Sequence, residues 1–440
     1  MNTPILDMLK EYSKKDILRL HMPGHKGLLN EFDITEVEGA DDLFNPDGII
    51  KESEENAGKI FGADSFYSTE GSSLSIRAMV YLTALYAKSK GEEPLILAAR
   101  NCHKSFISAL ALTGVSAEWL IPEGEGSYLS CPLTGEEVRR AIRKRKPTAV
   151  YLTSPDYLGR LADVKAIAEV CHGEGVLLLV DNAHGAYLKF LSPSLHPIDL
   201  GADVCCDSAH KTLRVLGGGA YLHLSRSAPQ IYKERAKEAM ALFASTSPSY
   251  IILSSLDGVN PELEKDFPAV LSTFVDNIAC FGEKIQNLGY SNASQEPLKI
   301  TLEAGAYGYT GYQLAEQLSK AGIVVEFYDR DYLVMMLSPY MSEQELTHLY
   351  HTLSSVPKKK PIEKKVFSYA LPKARLTPRE AMLSLSEKVN VEKSIGRTLA
   401  AITVGCPPAV PIIVSGEIID KQTVEVAKYY GIKSFSVTLD

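Results

Sequence analysis

The sequence predicts an α/β protein whose large domain is built on a mostly parallel sheet, followed by smaller C-terminal α/β domains. Three observations carry this. From about Asp41 to Leu224, short apolar runs alternate with helix-patterned segments, the rhythm of βαβ units. The run Val176–Val180 has no polar alternation, as a strand covered on both faces requires. Polar residues then gather directly after the runs, at the strand ends where open α/β sheets bind ligands.

Taken in order, residues 1–40 form an N-terminal segment that includes the loop His21-Met-Pro-Gly-His-Lys-Gly27. A large domain is expected over 41–260. Its strands are read at Pro94–Ala98, Ala149–Thr153, Val176–Val180, Asp203–Cys206 and Ala220–Leu224. Helices are read at Leu74–Ala87, Gly135–Lys144 and Asp163–His172. A small α/β domain follows over 261–356. It has strands at Lys299–Leu302, Ile323–Phe327 and Tyr332–Leu337, and helices at Tyr312–Ala321 and Ser342–Leu353. Lysine-rich residues 357–365 read as a linker. Residues 366–440 form a C-terminal unit with a helix at Pro378–Glu387.

Composition narrows the function classes. The chain has 440 residues, 45% hydrophobic and 23% charged, with a net charge of −8. That is the balance of a soluble protein and argues against a nucleic-acid scaffold. The basic run Arg139–Lys146 reads as a solvated helix face. No run has the length of a membrane span, and Met1–Lys15 lacks an export signal. The seven cysteines are scattered and form no CxxC pair. They suggest neither disulfides nor a metal site, and a reducing cytoplasm is the expected location.

Four apolar runs deliver polar residues at one end of the sheet. They are Arg100-Asn-Cys-His103-Lys-Ser105, Thr153-Ser-Pro155, Asp181-Asn-Ala-His184 and Ser208-Ala-His210-Lys211. Gly71, Ser72 and Ser73 open a helix and offer N–H groups and hydroxyls to a phosphate, or serve as an ordinary N-cap. Asp181, just past a buried strand, can pair with a protonated ring nitrogen. Lys211 can form an imine with an aldehyde. Ser208 and His210 flank it in what reads as a strained, partly desolvated loop, and Gly217-Gly-Gly219 follows. A phosphate cup, a carboxylate, a ring-stacking histidine and an imine lysine are the parts that pyridoxal 5'-phosphate (PLP) needs. GxGxxG and Walker A patterns are absent from the sequence.

These residues resemble the bacterial Orn/Lys/Arg decarboxylase family, PLP enzymes of fold type I. The likeness runs through His21–Gly27, Gly39-Ala-Asp-Asp-Leu-Phe-Asn-Pro46, Arg100–Ser105, Asp181–Gly185 and Ser208–Lys211. It continues in Thr246-Ser-Pro-Ser-Tyr250, Cys406-Pro-Pro-Ala-Val-Pro411 and Ser415-Gly-Glu417. The resemblance implies Lys211 as the Schiff-base lysine and Asp181 at the pyridine nitrogen. It puts His103 on one ring face, Ala183 on the other, and His184 near the ring oxygen or substrate. Ser208, His210, Ser72 and Ser73 would hold the phosphate, and Ser247 or Ser249 would reach the phosphate of a partner subunit in a homodimer. It implies decarboxylation of lysine, arginine or ornithine. Another fold type I reaction (aminotransferase or lyase) and a non-catalytic PLP-binding regulator are the alternatives. The chain departs from the family at Asn182, Cys406 and Ala409, where an acid, an aromatic and a glycine are usual. It is expected to be a short form without the response-regulator-like domain of the long members.

Overall fold

The computed structural model describes residues 1–124, 127–367, 371–402 and 407–439. Seven strands form the main sheet: β1 Asp64–Ser68, β2 Leu95–Ala99, β3 Ser116–Leu120, β4 Ala149–Thr153, β5 Leu177–Asp181, β6 Val204–Asp207 and β7 Ala220–Leu224. Their spatial order is β1-β7-β6-β5-β4-β2-β3. Pairings from β3 through β6 are parallel, and β7 runs antiparallel to both β6 and β1.

The expected alternation has a visible cause. In β4 and β5, Tyr151 and Leu179 face one apolar layer, while Val150, Leu152, Leu178 and Val180 face the other. Both faces are therefore dry, and no polar residue fits until the strand ends.

Helices α1 Pro4–Ser13, α2 Ile49–Phe61, α3 Ser72–Ser89, α4 Lys104–Thr113, α5 Gly135–Arg145, α6 Val164–Gly173, α7 Ala209–Thr212, α8 Gln230–Ala241 and α9 Tyr250–Lys265 accompany this sheet. Helix α5 is fixed at its start by a capping box between Thr134 and Glu137. Its basic face is solvated and paired, with Arg139, Arg140, Arg143 and Arg145 set against Glu136, Glu123, Glu174 and Glu118. Helix α9 runs through residue 260, so a boundary there would cut a helix.

A second sheet, β8 Lys299–Glu303, β9 Phe327–Tyr328 and β10 Tyr332–Met336, is antiparallel in the order β8-β10-β9. Helices α10 Phe267–Asn287, α11 Gly311–Lys320 and α12 Glu343–Ser355 surround it. The strand expected over Ile323–Phe327 shrinks to β9. Ile323, Val325 and Phe327 face the core while Val324 is 93% exposed, and only Phe327 and Tyr328 pair with β10.

The third sheet holds β11 Ser386–Asn390, β12 Leu399–Ala401 and β13 Ser434–Thr438, with α13 Pro378–Leu383 and α14 Lys421–Tyr429 beside it. The helix expected over Pro378–Glu387 ends at Leu383. The following residues pair with β13 instead, so tertiary pairing overrides local propensity. Six cysteines are free thiols, and Cys406 lies outside the described residues. No helix among the described residues is long and apolar enough to cross a membrane.

Candidate active site

The polar loops converge at the carboxyl ends of β2, β4, β5 and β6. Asp181 closes β5 and is 2% exposed. It accepts hydrogen bonds from the Tyr151 hydroxyl at 3.2 Å and the Ala183 N–H at 3.2 Å. Burial pushes its carboxyl upward, and the nearby Lys211 charge pulls the other way. A buried carboxylate of this kind calls for a cationic N–H. Thr153, its register partner on β4, has a buried hydroxyl without a hydrogen-bond partner.

His103 N-caps α4. Its Nδ1 accepts the Ser105 N–H at 3.1 Å, which leaves the proton of the neutral ring on Nε2. Burial, then the charges of Lys211 and Lys104, push it down to about 4. The ring is therefore an uncharged plate at neutral pH.

Helix α3 starts at Gly71, which has φ +70° and caps nothing with a side chain. Around that bare N-terminus, Ser208 Oγ donates to Ser72 Oγ at 2.8 Å, and Ser73 and Ser105 Oγ are 2.7 Å apart. The Gly71 N–H is held by the Gly218 carbonyl at 2.7 Å. Gly218 has φ +98°, and a Cβ there would lie 2.8 Å from the Thr69 carbonyl oxygen, so a side chain would push the cup apart. Hydroxyls at an uncapped helix start suit a phosphate. His210 stands beside this group, but its Nδ1 donates to the Gly219 carbonyl at 2.9 Å. When neutral, its Nε2 is then only an acceptor.

Lys211 sits on the helical turn α7, not in a strained loop. Among the described residues the positive-φ residues other than glycine are Lys26, Lys146 and Ala409. Its side chain is exposed in the single chain, where desolvation was expected. Its Nζ lies 3.1 Å from His184 Nε2. Lys299 Nζ lies 3.2 Å from the other nitrogen of that ring, and Lys299 is buried against Glu296 at 2.5 Å. Sequence reasoning missed Lys299 and Glu296. The one signal was an apolar strand, Lys299–Leu302, that opens on a lysine.

Ser249 N-caps α9 by accepting the Ile252 N–H at 3.4 Å. Ser247 is exposed. Neither meets the Lys211 group within one chain. Two buried acids, Asp41 and Asp156, are already engaged by backbone donors and are not open to a substrate's distal amine. Asp41 accepts the N–H groups of Asp42, Asp47, Gly48 and Ile50, and Asp156 accepts those of Leu158 and Arg160.

Behind Asn182 is a buried cluster. Asn182 Nδ2 donates to Asp207 Oδ1 at 2.7 Å, and Asp207 Oδ2 faces His196 Nε2 at 2.9 Å and His223 Nε2 at 3.3 Å. These three side chains are the kind that ligate metals. However, His196 Nδ1 accepts the Ile198 N–H, so its Nε2 carries a proton toward Asp207. Hydrogen bonds account for the His196 and Asn182 contacts to Asp207, while His223 Nε2 meets the carboxylate as an ion-pair contact without hydrogen-bond geometry. Burial pushes Asp207 up, and the two histidines more than offset it, so the carboxyl lies well below its usual range.

The C-terminal unit reaches this edge. Arg100 Nη2 and Glu417 Oε2 are 2.8 Å apart, each side chain 3% exposed. The Lys104 N–H donates to the Ala409 carbonyl at 2.8 Å. Ala409 has φ +55°, a left-handed conformation that favours glycine, at a position where the family usually has one. Arg100 also borders a cavity of about 270 Å³ shared with Tyr332, Lys364 and Tyr430. That cavity lies where the units meet, away from Lys211.

Sheet order, strand-end site and helix-start cup define a fold type I protein of the PLP-dependent transferase class. The "Orn/Lys/Arg decarboxylase, major domain" profile matches residues 28–287, and the "Orn/Lys/Arg decarboxylase, C-terminal domain" profile matches 360–435. The chain belongs to the Orn/Lys/Arg decarboxylase family. It is 30% identical to the uncharacterized protein YaaO of Bacillus subtilis (strain 168), over 97% of this chain and 93% of that one. It is 28% identical to the arginine decarboxylase of the same organism, over 96% and 92%. The fold superposes on the E. coli constitutive lysine decarboxylase with a TM-score of 0.79 at 19% identity, covering 100% of this chain and 82% of that chain. Lysine decarboxylase A from Pseudomonas aeruginosa gives 0.80 at 20% identity, covering 97% and 75%.

Proposed function

We propose that the protein is a PLP-dependent decarboxylase of a basic amino acid (lysine, arginine or ornithine), with the cofactor held on Lys211. The observation that carries the reading is the company Lys211 keeps. His184 touches it, and Asp181 and His103 feel its charge, at the strand ends beside the hydroxyl-ringed start of α3. Relatives along nearly the whole chain that are named arginine decarboxylase support the substrate class.

The residues fit the cofactor. Asp181 is a buried carboxylate in want of a cation, and Gly71, Ser72, Ser73 and Ser208 surround an uncapped helix start. When bound, PLP would supply an aldehyde for the substrate amine and a ring that draws in the electron pair left on Cα as the carboxylate departs as carbon dioxide. Lys211 would hold the aldehyde carbon. Asp181 would keep a proton on the ring nitrogen. His103 would cover one ring face and Ala183 the other. Ser72, Ser73, Ser208 and His210 would hold the phosphate, with Ser247 or Ser249 added from a second subunit. His184 is placed to hold or move a proton at the Lys211 amine.

The same reading divides the chain into 1–40, 41–260 with the boundary carried on to the end of α9 at Lys265, a small domain up to 356 and a unit over 366–440, and takes the working form as a cytoplasmic homodimer. Carbon-dioxide release from a panel of amino acids, with and without added PLP, tests the proposal. Release from lysine, arginine or ornithine is expected. Release from none, in a PLP-loaded protein, sinks it.

A further inference from the structure

Asp207 closes β6 and is fully buried. The chain leaves it directly for Ser208 and the turn α7 that carries Lys211. On the neighbouring strand, Asp181 closes β5 and Asn182 follows it. The β5–β6 ladder runs as far as Asp181 opposite Cys206, and it ends on the Asn182 N–H, which donates to the Cys206 carbonyl at 3.0 Å. Beyond that point the backbones of the two loops no longer pair. A side-chain bond carries the pairing one step further, from Asn182 Nδ2 to Asp207 Oδ1 at 2.7 Å.

Donor and acceptor roles along this line are fixed. Asp207 Oδ2 takes the Nε2–H of His196 at 2.9 Å. An ionised carboxylate only accepts, so its other oxygen needs a donor, and Asn182 gives one. The amide cannot stand the other way round, because two oxygens would then face each other. Its own Oδ1 is buried without a partner, and a Cβ on Gly185 would lie 2.0 Å from it. A side chain at position 185 would therefore push the amide off Asp207, and glycine leaves the room. The Gly185 N–H in turn donates to the Asn182 carbonyl at 2.8 Å, so the turn that bears Ala183 and His184 is built on the same residue. Position 182 is where the family usually has an acid. In this chain an acid there would face a second buried carboxylate across the same gap, and like charges that close resist being ionised together.

We propose that Asp207 is a positioning residue that sets the spacing of the two cofactor loops through Asn182, and that its carboxylate is the reason an amide follows Asp181 in this chain. Asp181, Ala183 and His184 stand on one side of the bond, and Ser208, His210 and Lys211 on the other. A group held by its ring nitrogen at one loop and by its phosphate and aldehyde at the other needs that spacing set before it arrives. The strut is anchored in the core from behind. His196 and His223 flank Asp207, and the Phe61 ring packs on His223 with centroids 4.4 Å apart. The assignment rests on the reading of Asp181 and Lys211 as cofactor residues.

The test uses the full chain at mildly alkaline pH with PLP as the probe. Three quantities are read: PLP affinity, the fraction of bound PLP that borohydride fixes to Lys211, and the unfolding midpoint of the cofactor-free protein. Asn182→Asp should weaken PLP at least about tenfold, the scale of losing a hydrogen bond to a charged group, and should lower the fixed fraction. Asp207→Asn alone should stay within about threefold of wild type, because Asn182 can turn its amide over and accept from the new one. Asn182→Asp/Asp207→Asn again sets one donor against one acceptor, and should return to within about threefold of wild type, a strongly non-additive result. A merely structural role would lower the unfolding midpoint and leave the PLP affinity of the folded protein unmoved. Asn182→Asp that binds PLP as tightly as wild type overturns the proposal, and so does a double variant as weak as Asn182→Asp. If Asn182→Asp does not fold, Asn182→Leu removes the donor without adding a charge and takes its place, with the same tenfold loss expected and unchanged affinity overturning the proposal. Wild-type protein that takes up no PLP at Lys211 defeats the proposed function and this assignment together. Wild-type protein that loads, beside an equally loaded Asn182→Asp, defeats this assignment alone.

Discussion

The Tyr151 hydroxyl donates to Asp181 Oδ2 across 3.2 Å, and both side chains are buried. Tyr151 is itself fixed by stacking on Phe106, with ring centroids 4.1 Å apart. The carboxylate is therefore aimed before any ligand arrives. Asp181→Asn keeps the shape and removes the charge. We expect turnover to fall at least about a hundredfold, in keeping with the roughly 3–5 kcal/mol lost when one partner of a buried pair is removed. The thermal midpoint should change little by comparison. Near-normal turnover in Asp181→Asn would remove this residue from the mechanism.

Lys211 should be the attachment point. Borohydride added to PLP-loaded protein should fix the cofactor to a single peptide containing Lys211, read by mass spectrometry. Lys211→Ala should still bind PLP, but release it on denaturation after the same treatment. A label on Lys104 or Lys299 instead would show the site to be misassigned.

His103 gives a pH dependence with a definite sign. Its folded value is pushed down to about 4, while an unfolded histidine titrates near its ordinary value of about 6.5. The unfolded chain therefore takes up the proton first as pH falls. The stability this side chain contributes is complete above about 6.5 and is lost progressively down to about 4, by about 3 kcal/mol in all. His103→Asn keeps an N-cap and removes the titration. Unfolding midpoints between pH 6.5 and 4 should fall less steeply in the variant. Parallel curves for the two proteins would contradict the assignment.

The assembly should be a dimer. Leu18, Leu20, Met22, Leu28 and Leu29 are between 65% and 89% exposed, all in the arm around the His21–Gly27 loop. Side chains of that size, gathered on one segment, call for a covering surface. A second copy supplies one and would bring Ser247 toward the neighbouring phosphate cup. Light scattering should give a mass near twice the 48.1 kDa of one chain. Leu28→Glu/Leu29→Glu should shift that mass toward the monomer and weaken PLP together. A PLP-saturated, active monomer at high dilution would exclude this arrangement.

The sequence was most legible where burial is two-sided. Strands β4 and β7 were read residue for residue, because a run apolar on both faces has one place to go. The residues after those runs were legible for the same reason, since polar groups appear only where the sheet ends. The small sheets were harder. Half-exposed runs such as Ile323–Phe327 carry the same apolar letters as strands, but only pairing decides them. Lys299 was beyond reach. Its meaning depends on Glu296 and His184, and His184 lies 115 residues away. The departure at Ala409 could be seen in the sequence, but its backbone cost could not, since that depends on a φ of +55°. Cys406 lies outside the described residues.

The bond between Arg100 and Glu417 also has a meaning in time. Its partners are separated by 317 residues. At a synthesis rate of roughly 5–20 residues per second, Arg100 leaves the ribosome about 15–60 s before the carboxylate that neutralises it. During that interval the loop after β2 carries a guanidinium without the carboxylate that neutralises it, so we expect the segment that carries His103 to settle only after the C-terminal unit has emerged. The cofactor cup, although β2, β4, β5 and β6 beneath it all lie in the first half of the chain, should then be among the last parts of the newborn protein to set.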